Sequence, residues 1–121
     1  MSNTAAGSAP YYFSMEHARQ VPVDNGQVIS HRLVTRRESG SERLGLHITR
    51  GQPNIAGSGT LYPTLDEIIY VLAGNIAVSF GAEMHWLAPG QGVFIPAGQV
   101  YDWQAGPEGW TIAAIFSPPL E

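Results

Sequence analysis

The feature that most constrains the fold is a series of short apolar runs separated by turns rich in glycine and proline. It starts at residues 67–74, a β-branched run that opens with Glu67 and closes at Gly74-Asn75, a pair typical of a tight hairpin. Further short runs follow at 76–80, 84–87, 93–95, 100–103 and 110–116, and a predicted turn separates each from the next. Many short strands of this kind predict an all-β sandwich or barrel.

The N-terminal half adds two stretches of alternating polarity, which predict strands at 27–35 and 44–49. The turn signal Asp24-Asn25-Gly26 precedes the first of them, and a polar loop is predicted at 36–42. The aromatic run 11–13 is expected to form either an edge strand or an arm that docks on a partner subunit. No stretch has the period of a long amphipathic helix.

Length and composition predict one domain that associates with itself. A chain of 121 residues with 44% hydrophobic residues can bury a full core. We expect the domain to span residues 11–121, behind a disordered lead-in of small and polar residues at 1–10. Charged residues make up only 13% of the chain, about half of the usual share of roughly 25%. Such a weakly charged surface favours self-association, and we therefore predict a homodimer.

The same composition argues against several classes of function. A formal net charge of −4 does not suit a nucleic-acid-binding protein, which needs a basic surface. The chain has no Cys and no Lys, which excludes thiolate nucleophiles, Schiff-base lysines and phosphate-loop lysines. No apolar run reaches the roughly 18 residues of a membrane span, and the start does not resemble a signal peptide. We expect a cytoplasmic protein whose partner is a small molecule, with no nucleic acid and no membrane.

Two segments resemble the two conserved motifs of the cupins. The run Asp66–Gly74 resembles the first motif, and Pro89–Gly98 resembles the second in the spacing of its glycines and proline. The likeness extends over about residues 27–116. It implies a double-stranded β-helix, the cupin jelly-roll barrel, which is often dimeric and holds its site inside the barrel.

The resemblance fails at the residues that bind metal in typical cupins. Those proteins use three His and one Glu, and their first motif reads His-x-His-Pro where this chain reads Thr60-Leu61-Tyr62-Pro63. The His of the second motif is Tyr101 here, so Glu67 is the only ligand type that remains. One carboxylate with a hydroxyl and two phenols makes a poor site for a divalent metal, and we predict no cofactor.

Two alternatives would restore a metal. Ferric iron accepts tyrosinate, and His31 or His47 could rebuild a site if their side chains point into the barrel. The Thr/Tyr pattern is similar to that of cupins related to the ethanolamine-utilisation cupin, which raises acetate-kinase-like chemistry. The absence of Lys and of a phosphate-binding glycine loop does not support phosphoryl transfer.

Four residues are the candidate catalytic groups. Glu67, enclosed in an apolar barrel, should have a raised pKa and act as general acid or base. Tyr62 and Tyr101 could donate hydrogen bonds to an oxyanion or a carbonyl. His47 could pair with Glu67 as an acid/base partner. The alternative is that the carboxylate and the phenols only fill the vacated metal cavity and bond to one another.

Three further residues are predicted to bind substrate: Thr60, Arg50 and Trp103. Arg50 stands out among the five arginines between residues 32 and 50, because it ends a predicted strand and Arg binds anions with two hydrogen bonds. Trp103 could form an aromatic lip over the cavity together with Trp110. His85 and His17 are expected to be surface residues.

The sequence thus predicts a small-molecule enzyme without a metal. The candidate acid/base groups suit an isomerase, dehydratase, cyclase or lyase that acts on a small carbonyl or carboxylate compound. Two other functions stay open: a non-catalytic ligand-binding cupin, and a metal-dependent, dioxygenase-like cupin with an atypical ligand set.

Overall fold

Residues 9–121 are described here in a computed structural model, and they form mainly β-structure. The strands are, in chain order, β1 (Arg19–Val23), β2 (Val28–Val34), β3 (Gly45–Gly51), β4 (Ala56–Thr60), β5 (Asp66–Phe80), β6 (Glu83–Leu87), β7 (Gly92–Ile95) and β8 (Tyr101–Ser117). The predicted lead-in at 1–10 lies outside the described residues except for Ala9 and Pro10, which are exposed. Within residues 9–121, no helix is long and apolar enough to cross a bilayer.

Two long strands organise the barrel, because each changes its partner along its length. The strand order is β1-β2-β3-β8-β5-β6, with β4 paired to β8 and β7 paired to β5, and the pairings are antiparallel. The first part of β8 pairs with β4 and its last part with β3, while β5 pairs first with β7 and then with β6. The all-β prediction and the double-stranded β-helix are confirmed.

Two predicted turns are wrong, and both lie where the long strands bend. Gly74-Asn75 does not reverse the chain: β5 continues to Phe80, and the pairing with β8 only shifts its register there. Residues 106–109 do not form a hairpin turn either, since they bulge from β8 opposite Asn75. Gly74 is required because its φ is 72° and a Cβ would lie 2.1 Å from the Gly109 carbonyl oxygen. The same glycine that signals a hairpin therefore serves a bulge.

Smaller differences concern the N-terminal half. The predicted loop at 36–42 contains one helical turn, α1 (Arg36–Ser39), which Thr35 caps by accepting a hydrogen bond from the Glu38 N–H at 3.0 Å. The aromatic run 11–13 forms no strand and is exposed. The turn at Asp24–Gly26 and the strands predicted at 27–35 and 44–49 are present, the strands with slightly shifted ends.

Strand alternation decides which side chains face the barrel interior. On β5, Glu67, Ile69 and Val71 point inward and are buried, whereas the residues between them point outward and are exposed. On the neighbouring strand β8, Ile112 and Phe116 also point inward and are buried. Burial of each large aliphatic or aromatic side chain stabilises the fold by roughly 1.5–3 kcal/mol. The same alternation places the polar residue Glu67 inside.

Candidate active site in the barrel cavity

The barrel contains a partly open cavity of about 290 Å³. It is lined by residues from both sheet halves, including apolar side chains such as Ile69 and Phe116. The lining side chains with polar groups are Asp24, Ser30, Arg32, His47, Thr49, Thr60, Tyr62, Glu67, Tyr101, Trp103 and Trp110. The cavity thus has the size and mixed lining of a site for a small metabolite.

Glu67 and Tyr101 form a hydrogen-bonded pair at this cavity. Glu67 is only 4% exposed, and the Tyr101 hydroxyl donates to its Oε1 at 2.7 Å. Burial raises the pKa of Glu67 to about 7, and the hydrogen bond from Tyr101 acts in the opposite direction. The carboxyl group therefore exchanges its proton near neutral pH.

The two phenols are neutral hydrogen-bond donors. Burial and then the charge of Glu67 raise the pKa of Tyr62 to about 12, and the same causes raise the pKa of Tyr101. Tyr62 packs edge-on against Phe116, with ring centroids 5.6 Å apart. Thr60 lies directly opposite Tyr101 in the β4–β8 pairing and also lines the cavity. The four residues that replace the usual cupin ligands thus lie together around one space.

Arg32 and His47 form a second pair, on β2 and β3. They are directly opposite in the β2–β3 register, and both are buried. Arg32 Nη1 lies 3.3 Å from His47 Nδ1 and 3.4 Å from Nε2. A point nearly equidistant from both ring nitrogens at this range must lie above the ring, because in the ring plane it would clash with ring carbons. Arg32 Nη1 therefore lies over the imidazole face, with an N–H directed at it.

The charges of this pair follow from burial. Burial, and then the positive charge of Arg32, lower the pKa of His47 to about 4, so the imidazole is neutral at pH 7. Burial also lowers the pKa of Arg32, but a guanidinium group stays protonated in proteins. Arg32 Nε is buried and has no hydrogen-bond partner within residues 9–121. The pair thus presents one cation with unmet hydrogen-bonding capacity.

The predicted acid/base pair of His47 and Glu67 does not form. β8 runs between their strands: His47 is opposite Ala114, and Glu67 is opposite Phe116. Two strand spacings of about 4.8 Å separate their backbones by roughly 10 Å. The Phe116 ring fills the space beside His47, with ring centroids 4.9 Å apart. His47 lines the cavity as predicted, but its partner is Arg32.

Other predicted residues divide between the interior and the outer surface. Trp103 lines the cavity and contacts Trp110 edge to face, with ring centroids 5.3 Å apart. Arg50, predicted to bind substrate, is exposed and lies outside this cavity. His31 also lies outside it, and its Nδ1 is 3.1 Å from the Ile48 carbonyl oxygen. The remaining histidines, His17 and His85, are exposed as expected.

Arg32 is the site residue that the sequence reasoning missed. The sequence favours Arg50 instead, because Arg50 ends a predicted strand. Arg32 shares a strand face with Val28 and Ser30, and the structure shows that this face lines the cavity.

Comparisons with known proteins support the architecture. No family model matches the chain. The structure is similar to that of KdgF from Halomonas sp., with a TM-score of 0.81, 17% identity, and coverage of 93% of this chain and 97% of the other. An RmlC-like cupin from Shewanella frigidimarina gives a TM-score of 0.75 at 18% identity and covers 93% of this chain and 95% of its own. This chain has the cupin fold.

Two further proteins extend the comparison. The polyketide cyclase RemF from Streptomyces resistomycificus has a TM-score of 0.75 and 17% identity, with coverage of 91% of this chain and 80% of the other. In sequence, an uncharacterized protein of Streptomyces coelicolor, SCO3923, is 33% identical over 54 residues, which is 45% of this chain. The chain covers 51% of that relative's length.

The donor set of the cavity does not fit a divalent metal of the kind that the cupin fold implies. Thr60, Tyr62, Glu67 and Tyr101 offer one carboxylate, and their phenols have raised pKa values. In the described part of the chain, no three His, Cys, Asp or Glu side chains cluster as metal ligands. His31 lies outside the cavity and cannot rebuild the site, and a metal at His47 would meet the charge of Arg32.

Proposed function

We propose that this cupin is a metal-independent enzyme that uses Glu67 for proton transfer on a small carbonyl or carboxylate compound. The reaction would be of the isomerase, dehydratase, cyclase or lyase type. The observation that carries the proposal is a buried carboxyl group with a pKa of about 7, which accepts a hydrogen bond from Tyr101 and lines the barrel cavity. A group that exchanges its proton near the working pH can act as base in one step and as acid in the next.

Glu67 alone can remove the proton from the substrate and later return it. The ionised carboxylate removes a proton from a carbon next to a carbonyl group, and the electron pair moves to the carbonyl oxygen. The neutral phenols of Tyr62 and Tyr101 can donate hydrogen bonds to that oxygen. Glu67 then returns the proton to another carbon in an isomerisation, or to a departing hydroxyl group in a dehydration. General acid/base catalysis of this kind contributes about 10²–10⁴-fold to the rate.

The hydrogen bonds of Glu67 leave one carboxyl oxygen available for substrate. Tyr101 donates to Oε1, and Oε2 accepts no hydrogen bond from residues 9–121. Tyr101 therefore fixes the orientation of the carboxyl group without using the oxygen that would take the proton. The fold is shared with a polyketide cyclase, which supports small-molecule chemistry in such a barrel.

Proton abstraction can be tested without knowing the physiological substrate. Pyruvate and 2-oxobutyrate in D₂O report it as loss of the carbon-bound proton signals by NMR. We expect the wild type to accelerate this exchange, Glu67→Gln to lose the acceleration by about 10²-fold or more, and the surface variant Arg50→Gln to retain it. Exchange that persists in Glu67→Gln, or no exchange in the wild type, would contradict the proposal. In the second case, saturable ligand binding would favour a non-catalytic binding protein.

We also propose that two copies associate through the outer face of β5 and β7. Ile68, Tyr70, Leu72 and Phe94 are each 40% or more exposed there, and Ile68 is opposite Phe94 in the pairing. A contiguous apolar face on a chain of low charge suits an isologous dimer. Light scattering should give twice the monomer mass, and Phe94→Glu should give a monomer. The control Leu44→Glu, at an exposed apolar residue elsewhere, should stay dimeric; a wild-type monomer would contradict the proposal.

A further inference from the structure

Arg32 is the sole basic side chain among the residues that line the barrel cavity, apart from the neutral His47. It is 8% exposed and makes no ion pair with any carboxylate of residues 9–121. Glu38 and Glu121, the acidic groups whose charges raise the pKa of Arg32, both bind the guanidinium group of Arg19 instead. A buried cation without a counter-ion is costly, so this arrangement requires an explanation.

The contact with His47 involves only one end of the guanidinium group. Nη1 lies over the imidazole face and directs an N–H at it, whereas Nε is buried and has no partner within residues 9–121. His47 thus holds the Arg32 side chain in place and leaves a buried donor free. A guanidinium group held in this way beside a cavity is suited to binding an anion.

We propose that Arg32, held in place by His47, binds a carboxylate group of the ligand inside the barrel. This deepens the proposed function, on which it rests for the identity of the reacting site at Glu67. A planar monoanion fits better than a phosphate, because Arg32 is one cation and the ionised form of Glu67 faces the same cavity. The ligand class is then a small carboxylic acid whose reacting carbon reaches Glu67 while its carboxylate is held by Arg32.

The test compares carboxylates with neutral molecules of the same shape. Acetate, pyruvate and benzoate are titrated against acetamide, pyruvamide and benzamide, with binding followed by two-dimensional amide NMR. We expect at least one carboxylate to bind the wild type about tenfold or more tightly than its amide. Arg32→Gln should abolish this preference, and Arg32→Lys should retain part of it because the charge remains without the planar fork.

Two control variants separate this inference from the proposed function. Arg50→Gln, at an exposed arginine outside the cavity, should keep the full preference. Glu67→Gln should also keep it, or increase it, since a negative charge is removed from the cavity. Loss of proton exchange in Glu67→Gln with an intact preference in folded Arg32→Gln would reject the carboxylate subsite and leave the proposed function standing.

The reverse outcome is equally informative. A carboxylate preference that depends on Arg32, without proton exchange in any variant, would support the subsite and reject catalysis by Glu67. Equal binding of acids and amides, or no saturable binding of any acid at about 10 mM, would overturn the inference; a Kd of 1 mM corresponds to about −4 kcal/mol. If Arg32→Gln fails to fold, the comparison rests on Arg32→Lys, which must then show a reduced preference.

Discussion

The two polar pairs of the cavity differ in how far their hydrogen bonds are satisfied. On the β5 side, Tyr101 donates to Glu67 at 2.7 Å, and this pair needs no further partner to hold its geometry. On the β2–β3 side, Arg32 lies on the face of His47 and keeps unmet donors. The satisfied pair is suited to moving a proton, and the unsatisfied pair is suited to holding an anion. Both pairs line the same cavity, one from β5 and β8 and the other from β2 and β3.

The two pairs also respond to pH in opposite directions. Glu67 has a folded-state pKa of about 7, above its ordinary 4.5, and His47 has one of about 4, below its ordinary 6.5. As pH rises from 4.5 to 7, Glu67 ionises in the unfolded chain first, so its contribution to stability falls. As pH falls from 6.5 to 4, His47 is protonated in the unfolded chain first, so its contribution also falls. Between pH 4.5 and 6.5 the two contributions oppose each other.

The largest expected effect on the free energy of unfolding comes from replacing Glu67. Glu67→Gln removes the cost of ionising a buried carboxyl, which amounts to about 3 kcal/mol above pH 7 for a displacement of this size. Relative to the wild type, the variant should gain stability progressively between pH 4.5 and 7.5. Urea unfolding at a series of pH values measures this difference, and two parallel stability curves would show that Glu67 titrates normally.

A somewhat smaller effect is expected on the other side. His47→Gln removes a group that must stay neutral in the folded state, so the variant should lose less stability than the wild type as pH falls from 6.5 to 4. The expected difference is about 2 kcal/mol, because water in the cavity reduces the full cost. The same urea series measures it. A variant that follows the wild type below pH 6 would mean that His47 accepts a proton in the native state.

The smallest effect tests the link between Tyr101 and Glu67. Tyr101→Phe removes the hydrogen bond to Oε1, which favours the ionised carboxylate, and should raise the pKa of Glu67 by about one further unit. Tyr62→Phe is the matched control, because Tyr62 makes no hydrogen bond to Glu67. The pH dependence of proton exchange reports both variants. Equal shifts of the Glu67 pKa in the two variants would show that the hydrogen bond from Tyr101 has no effect beyond that of a nearby polar phenol.

Much of the Glu67 side could be predicted from the sequence, because its positions follow from motif spacing. Thr60 and Tyr62 lie shortly before β5 and Glu67 lies near its start, at fixed intervals, and Tyr101 follows the second glycine-proline motif. The spacing fixes where these residues lie in the fold, because strand pairing brings the two motifs together whichever side chains they carry. The fold class was predictable for the same reason.

The Arg32 side could not be predicted in full, because it depends on the register of two strands that carry no motif. Alternation places Arg32 and His47 each on an inward face, but only the β2–β3 pairing sets them opposite each other. The His47–Glu67 pair was mispredicted because the sequence does not show that β8 lies between their strands. The turns at Gly74 and at 106–109 were misread because a positive φ at glycine serves bulges as well as hairpins.

The central claim is that Glu67 is a proton-exchanging carboxyl near neutral pH, and NMR can measure this directly. In protein labelled with ¹³C at the glutamate carboxyl carbons, the signal of Glu67 is assigned as the one missing from Glu67→Gln. Its chemical shift should titrate with a midpoint near pH 7, as burial beside Tyr101 requires. A midpoint near 4.5, the ordinary value for a glutamate, would contradict the account of this site.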